Sequence, residues 1–113
     1  VDAKYMAELN VRQWTAGMER TLSFRDAGNE YRFYDMGFRA LQQDPIREVR
    51  SLYRWLGEPV CDEFAQGMTV WWRENAENRE SSHHPHPDLF GLDPDRVRSQ
   101  FSTYRERMAA YIT

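Results

Sequence analysis

The sequence predicts a mainly helical chain with one short strand, and three observations carry that expectation. Apolar residues recur at steps of three and four along most of the chain, the spacing of one face of an α-helix. Asp-Pro pairs at 44–45 and 93–94 stand where helices begin, and one segment alone, Tyr31 to Asp35, alternates aromatic with polar side chains at period two.

The first helix is expected from Asp2 to about Arg25, with Ala7, Val11, Trp14, Met18 and Leu22 along one face. Asp26-Ala27-Gly28-Asn29 ends it with turn-forming residues. The strand Tyr31–Asp35 follows. A lone strand leaves its backbone donors and acceptors unpaired, so its pairing has to come from a second copy of the chain or from a sheet outside it. A short helical turn over Phe38–Gln42 leads to Asp44-Pro45, which caps a helix with Ile46, Val49, Leu52, Tyr53 and Leu56 as its buried stripe and Gly57 as its C-terminal cap. After the turn at Glu58-Pro59, Asp62 and Glu63 place negative charge on the first turn of a helix running to about Asn78. Cys61 occupies the cap position, and Phe64, Met68, Trp71, Trp72 and Asn75 mark the inner face. Arg79 to Phe90 lacks periodicity and reads as a loop. Asp93-Pro94 then opens a single terminal helix with Val97, Phe101, Tyr104, Met108 and Tyr111 inward.

With 113 residues the chain is long enough for one hydrophobic core and too short for two, so residues 1–113 are expected to form a single unit. Its net charge of -3 opposes a nucleic-acid-binding role, which draws affinity from a basic face. Lys4 is the one lysine among 15 basic residues, so a bound oxyanion would be met by guanidinium forks; a compositional bias toward arginine explains the same count. The single cysteine excludes an internal disulfide and suits a reducing compartment, making the cytoplasm the expected location. No apolar run of roughly eighteen residues is present, which argues against a membrane span. The chain begins at Val1, which a trimmed, processed or proteolysed product would each explain.

Few residues offer chemistry. His83-His84-Pro85-His86 has the density of a metal-binding tract, with Asp88 as a conceivable further ligand, but the prolines at 85 and 87 hold the backbone extended and splay neighbouring side chains; a solvated or substrate-facing loop is the expected role. Cys61 sits where helix N-termini activate nucleophilic thiols, yet no base adjoins it in sequence, and a small buried thiol is expected. Asp62-Glu63 and Asp93/Asp95 are helix-start residues before they are acid–base candidates. Trp71 and Trp72 diverge by about 100° on a helix, so one indole is expected in the core and the other on a sheet or beside a pocket. No glycine-rich phosphate loop, Ser-His-Asp set or Cys-x-x-Cys pair occurs.

The order of these segments resembles the C-terminal third of the sulfotransferases that use 3′-phosphoadenosine 5′-phosphosulfate, the bacterial members in particular. The segment Tyr31–Asp35 followed by Phe38-Arg39-Ala40-Leu41-Gln42-Gln43-Asp44-Pro45 is similar to the family's strand, helical turn and Asp-Pro junction. Ile46 to Gly57 resembles the helix that follows, ending in Leu-Gly, and Phe90-Gly91-Leu92 resembles the Phe-Gly-Leu of bacterial members before the terminal helix.

This resemblance implies the C-terminal part of an α/β, P-loop-like sulfotransferase fold. It implies 3′-phosphoadenosine 5′-phosphosulfate as donor and a small-molecule hydroxyl or amine as acceptor, with no nucleic acid or membrane as partner. In the family, the loop before the terminal helix holds the donor's 3′-phosphate. Counting back from Phe90 places Arg79 on its basic residue, with Ser81 and Ser82 as further donors, while His84 and His86 would border the acceptor or adenine pocket. Glu80 stands where a lysine is common and Ser81 where a glycine is. The family's phosphosulfate loop and catalytic base lie upstream of anything in this chain, so the implied partner is an upstream half of the same fold, and this chain alone is expected to be inactive. Two rivals remain: a free-standing helical interaction module that pairs through its strand in a homodimer, and a metal-binding regulatory piece built on the histidines.

Overall fold

The computed structural model describes residues 2–76 and 86–112. The contacts divide the chain into two compact units: the described part of the first is residues 2–33 and 86–109, that of the second residues 34–76 and 110–112.

In the first unit, helix α1 (Ala3–Phe24) starts where Asp2 Oδ1 accepts the Tyr5 amide at 3.1 Å. Of its anticipated inner face, Leu22 is buried and Ala7, Val11 and Met18 are half-buried, but Trp14 is 64% exposed. A π-helical turn, Arg25–Asn29, unwinds the helix at Gly28 (φ 91°), a backbone angle that glycine adopts without Cβ strain, and Asn29 Nδ2 donates to the Phe24 carbonyl at 2.9 Å. A 3₁₀ turn, Pro87–Phe90, packs against α1 and closes on Gly91 (φ 63°). Beyond it, the expected single terminal helix is three pieces: α5 (Pro94–Gln100), α6 (Ser102–Arg107) and α7 (Ala109–Ile112), the last of which begins in this unit. The interruptions fall at Phe101 (φ -100°, ψ 16°) and Met108 (φ -101°, ψ 18°). Neither site carries Gly or Pro, so local chemistry does not dictate the breaks; they coincide with half-buried Phe101 and buried Met108.

In the second unit, α2 (Phe38–Gln43) leads directly to α3 (Pro45–Leu56). Asp44 Oδ1 accepts the Arg47 amide at 3.1 Å, Pro45 fills the first helical position, and Gly57 closes the helix in the left-handed region at φ 77°. Helix α4 (Asp62–Glu74) packs against α3, with Tyr53 and Phe64 rings 5.6 Å apart. Ala65 is buried and Met68 half-buried, while Phe64 and Trp71 are exposed. The α3 stripe ends early as well, because Leu56 lies in solvent.

The expected strand is corrected. Among the described residues there is no strand: Glu30–Arg32 form a 3₁₀ turn, closed by the Phe33 amide on the Glu30 carbonyl at 3.1 Å. Phe33 (φ -110°, ψ 138°) is extended, and residues 33–37 belong to no ladder. A strand is defined by its hydrogen-bonded neighbour, and the described chain supplies none for this segment. Without a sheet to sit on, the described residues bury only three apolar side chains, Leu22, Ala65 and Met108.

Candidate functional site

The residues on which the donor loop was read, Arg79, Ser81, Ser82 and His84, lie outside the described residues, as do Glu80 and His83. The segments that flank the loop are defined. On its N-terminal side, α4 ends at Asn75, whose backbone amide and Nδ2 both donate to the Trp71 carbonyl, at 3.0 and 2.9 Å. On its C-terminal side His86 is exposed and caps the 3₁₀ turn, its Nδ1 lying 3.4 Å from the Asp88 amide and 3.2 Å from Asp88 Oδ2. The turn is finished by the Gly91 amide on the Asp88 carbonyl and the Leu92 amide on the Pro87 carbonyl, at 3.1 and 3.2 Å. His86 is thus engaged with its own turn. Among the described residues no group of His, Cys, Asp and Glu is arranged to hold a metal ion.

Within the second unit, α2, α3 and α4 enclose a groove of about 750 Å³ lined by Ile46, Val49, Phe64, Met68, Trp71 and Trp72 among others. Its lining is apolar except for Cys61 and Glu63. Cys61 was expected to be buried, and this is corrected: the thiol is exposed. Its Sγ accepts the Phe64 amide at 3.4 Å, the cap role that a serine hydroxyl usually fills, and capping from outside the first turn keeps the side chain at the surface. Both tryptophans border the groove, Trp72 half-buried and Trp71 62% exposed. The groove can receive an apolar surface or ligand.

The first unit holds an ionic cluster that sequence inspection missed. Arg25, only 4% exposed, grips Glu30 with Nε to Oε2 at 2.9 Å and Nη2 to Oε1 at 2.6 Å, and its guanidinium lies 4.7 Å from the centre of the Phe33 ring. Arg107 reaches the same turn, with Nη1 2.6 Å from Asp26 Oδ1 and Nη2 3.4 Å from Glu30 Oε2. Hydrogen bonding from Arg25 holds the Glu30 carboxyl below its ordinary value, with the charges of Arg25 and Arg107 acting in the same direction. An acidic pair four residues apart with an arginine just before it is the sequence signal for half of this cluster; Arg107 lies 77 residues from Glu30 and had none.

Residues 2–63, more than half of the chain, match the family described as "Sulfotransferase family". The chain belongs to the sulfotransferase family. The match runs through α1, the turns, the extended segment, α2 and α3, and ends in the first turn of α4. It therefore takes in the Asp44-Pro45 junction and the Leu56-Gly57 helix end, and stops short of Arg79 and of Phe90-Gly91-Leu92. No curated protein and no solved structure matched the sulfotransferase chain. Among its described residues no helix is long and apolar enough to cross a membrane.

Proposed function

We propose that this chain is the C-terminal part of a sulfotransferase that takes the sulfuryl group from 3′-phosphoadenosine 5′-phosphosulfate and passes it to a hydroxyl or amine of a small molecule. The family match over residues 2–63 carries the reading. Transfer of a sulfuryl group requires a base for the acceptor proton and positive charge beside the leaving phosphate oxygen. This reading assigns neither task to a residue of this chain and both to an upstream half of the same fold. The helices then serve as buttresses. The extended Phe33, which has no ladder partner here, and the exposed Phe38, Trp71 and Leu56 suit a chain that packs against such a sheet.

On this reading the segment from Arg79 to His86 covers the donor. Arg79 meets the 3′-phosphate as a guanidinium fork, Ser81 and Ser82 add donors, and His84 and His86 border the acceptor. Calorimetric titration of the complete protein with adenosine 3′,5′-bisphosphate tests it: binding is expected, and Arg79→Ala should weaken it by about tenfold or more, the worth of a charge-assisted phosphate contact. Unchanged affinity would refute the role given to this loop.

A second reading is a helical interaction module that pairs through Tyr31–Asp35 with its counterpart in a homodimer, and the extended Phe33, which belongs to no ladder, favours it. Light scattering on the 113-residue chain separates the two. A stable dimer supports the module, and a monomer that binds no second copy removes it.

A further inference from the structure

We propose that the first unit carries a binding site for a small zwitterion, one anionic group and one primary ammonium, in the cleft between α1 and α5. The cleft has a volume of about 450 Å³, within the range of small-molecule sites. One face of α1 supplies Glu8, Arg12 and Glu19, and the opposite wall supplies Asp93 and Arg96, over a floor that includes Val11 and Val97.

Charge bookkeeping inside the cleft carries the argument. Glu8 and Arg12 stand four residues apart on a helix, the spacing at which opposite charges ordinarily pair. Here they do not: among the described residues, the side chains of Glu8, Arg12, Glu19 and Arg96 make no hydrogen bond or ion pair, although all four line the same cleft. Only Asp93 is engaged, its Oδ1 accepting the Asp95 amide at 3.0 Å. A ligand with a single negative charge would meet the two guanidiniums but also three carboxylates, and a simple cation would face the reverse conflict. A molecule bearing both signs meets both kinds of group, its anion on the forks of Arg12 and Arg96 and its ammonium on Glu8; Glu19, about 16 Å further along α1, stays outside the contact. The nature of the cation follows from what else lines the cleft. No aromatic side chain does, so the cage that favours quaternary ammonium is missing and a hydrogen-bonding primary ammonium is selected.

The site does not depend on sulfuryl transfer and is tested separately, by calorimetry on the complete protein with 2-aminoethylphosphonate. Binding is expected, at least about tenfold tighter than 2-hydroxyethylphosphonate or ethanolamine, each of which keeps one charge. Arg12→Gln and Glu8→Gln should each weaken it by about tenfold, and both positions are exposed, so the far-UV circular dichroism should not change. Absence of binding at millimolar ligand overturns the proposal. So does equal binding of 2-hydroxyethylphosphonate, equal binding of the N-trimethyl analogue, or affinity indifferent to both substitutions.

Discussion

Arg25 and Glu30 close the π-helical turn on itself: two hydrogen bonds, 2.9 and 2.6 Å long, join a buried guanidinium to a carboxylate whose own side chain is 59% exposed. The pairing spans five residues and pulls the chain back against the end of α1, where Phe24 and Phe33 meet edge to face at 6.1 Å. The arginine's burial makes the pair directional, because its fork has fixed geometry and its stem fills space.

Replacement of Arg25 by lysine should therefore lower the thermal midpoint nearly as much as replacement by alanine. Lysine keeps the charge but loses the two-pronged contact with Glu30 and the guanidinium's place over the Phe33 ring. Thermal unfolding followed by circular dichroism reads this. An Arg25→Lys variant as stable as the parent would show that charge alone matters.

The same pair sets a pH dependence. Contact with Arg25 lowers the Glu30 pKa from 4.5, so the folded chain binds that proton less readily than the unfolded chain. The contribution of Glu30 is then complete above pH 4.5 and fades as pH falls through the lower folded value. The stability difference between the parent and Glu30→Gln should be flat near neutrality and shrink as the solution is acidified. Because the carboxylate is largely exposed, added salt should also reduce it.

Gly37→Ala tests close approach. Gly37 has an ordinary extended backbone (φ -71°, ψ 130°), so its requirement is space. An added Cβ would lie 3.0 Å from the Tyr111 carbonyl oxygen and 3.6 Å from the Tyr111 Cα, backbone atoms that cannot rotate away. Urea unfolding should show a loss of about 1–3 kcal/mol. Gly57→Ala fails for the other reason: its φ of 77° meets open space, and the expected cost of about 1 kcal/mol is the left-handed backbone itself.

Cys61 should react fully with a thiol reagent in the absence of denaturant, since its side chain is exposed. Cys61→Ser should raise stability by up to about 1 kcal/mol, because a hydroxyl accepts the Phe64 amide better than a sulfur 3.4 Å away. A thiol that reacts only in denaturant would contradict the exposed position.

Short-range chemistry was legible in the sequence. Asp44 and Asp93 cap the helices they precede, Gly28 and Gly57 take the positive φ that their places demand, and the end of α1 and the bounds of α3 follow from these signals, because each depends on atoms within about four residues. The Asp44-Pro45 and Leu56-Gly57 junctions also lie within the segment that marks the family. The candidate donor loop was legible only through resemblance, since an aperiodic run carries no pattern from which a site can be built.

Tertiary structure alone decided the rest. Alternation of aromatic with polar side chains over Tyr31–Asp35 signals a strand, but a strand needs a ladder partner, and in its absence residues 30–32 form a turn instead. The same holds for the outward Trp14 and Leu56, the exposed thiol of Cys61, the breaks at Phe101 and Met108, and the contact of Arg107 with Asp26. Periodicity gives a side chain its place on a helix; whether that place is covered depends on residues remote in the chain, whose contacts no local pattern encodes.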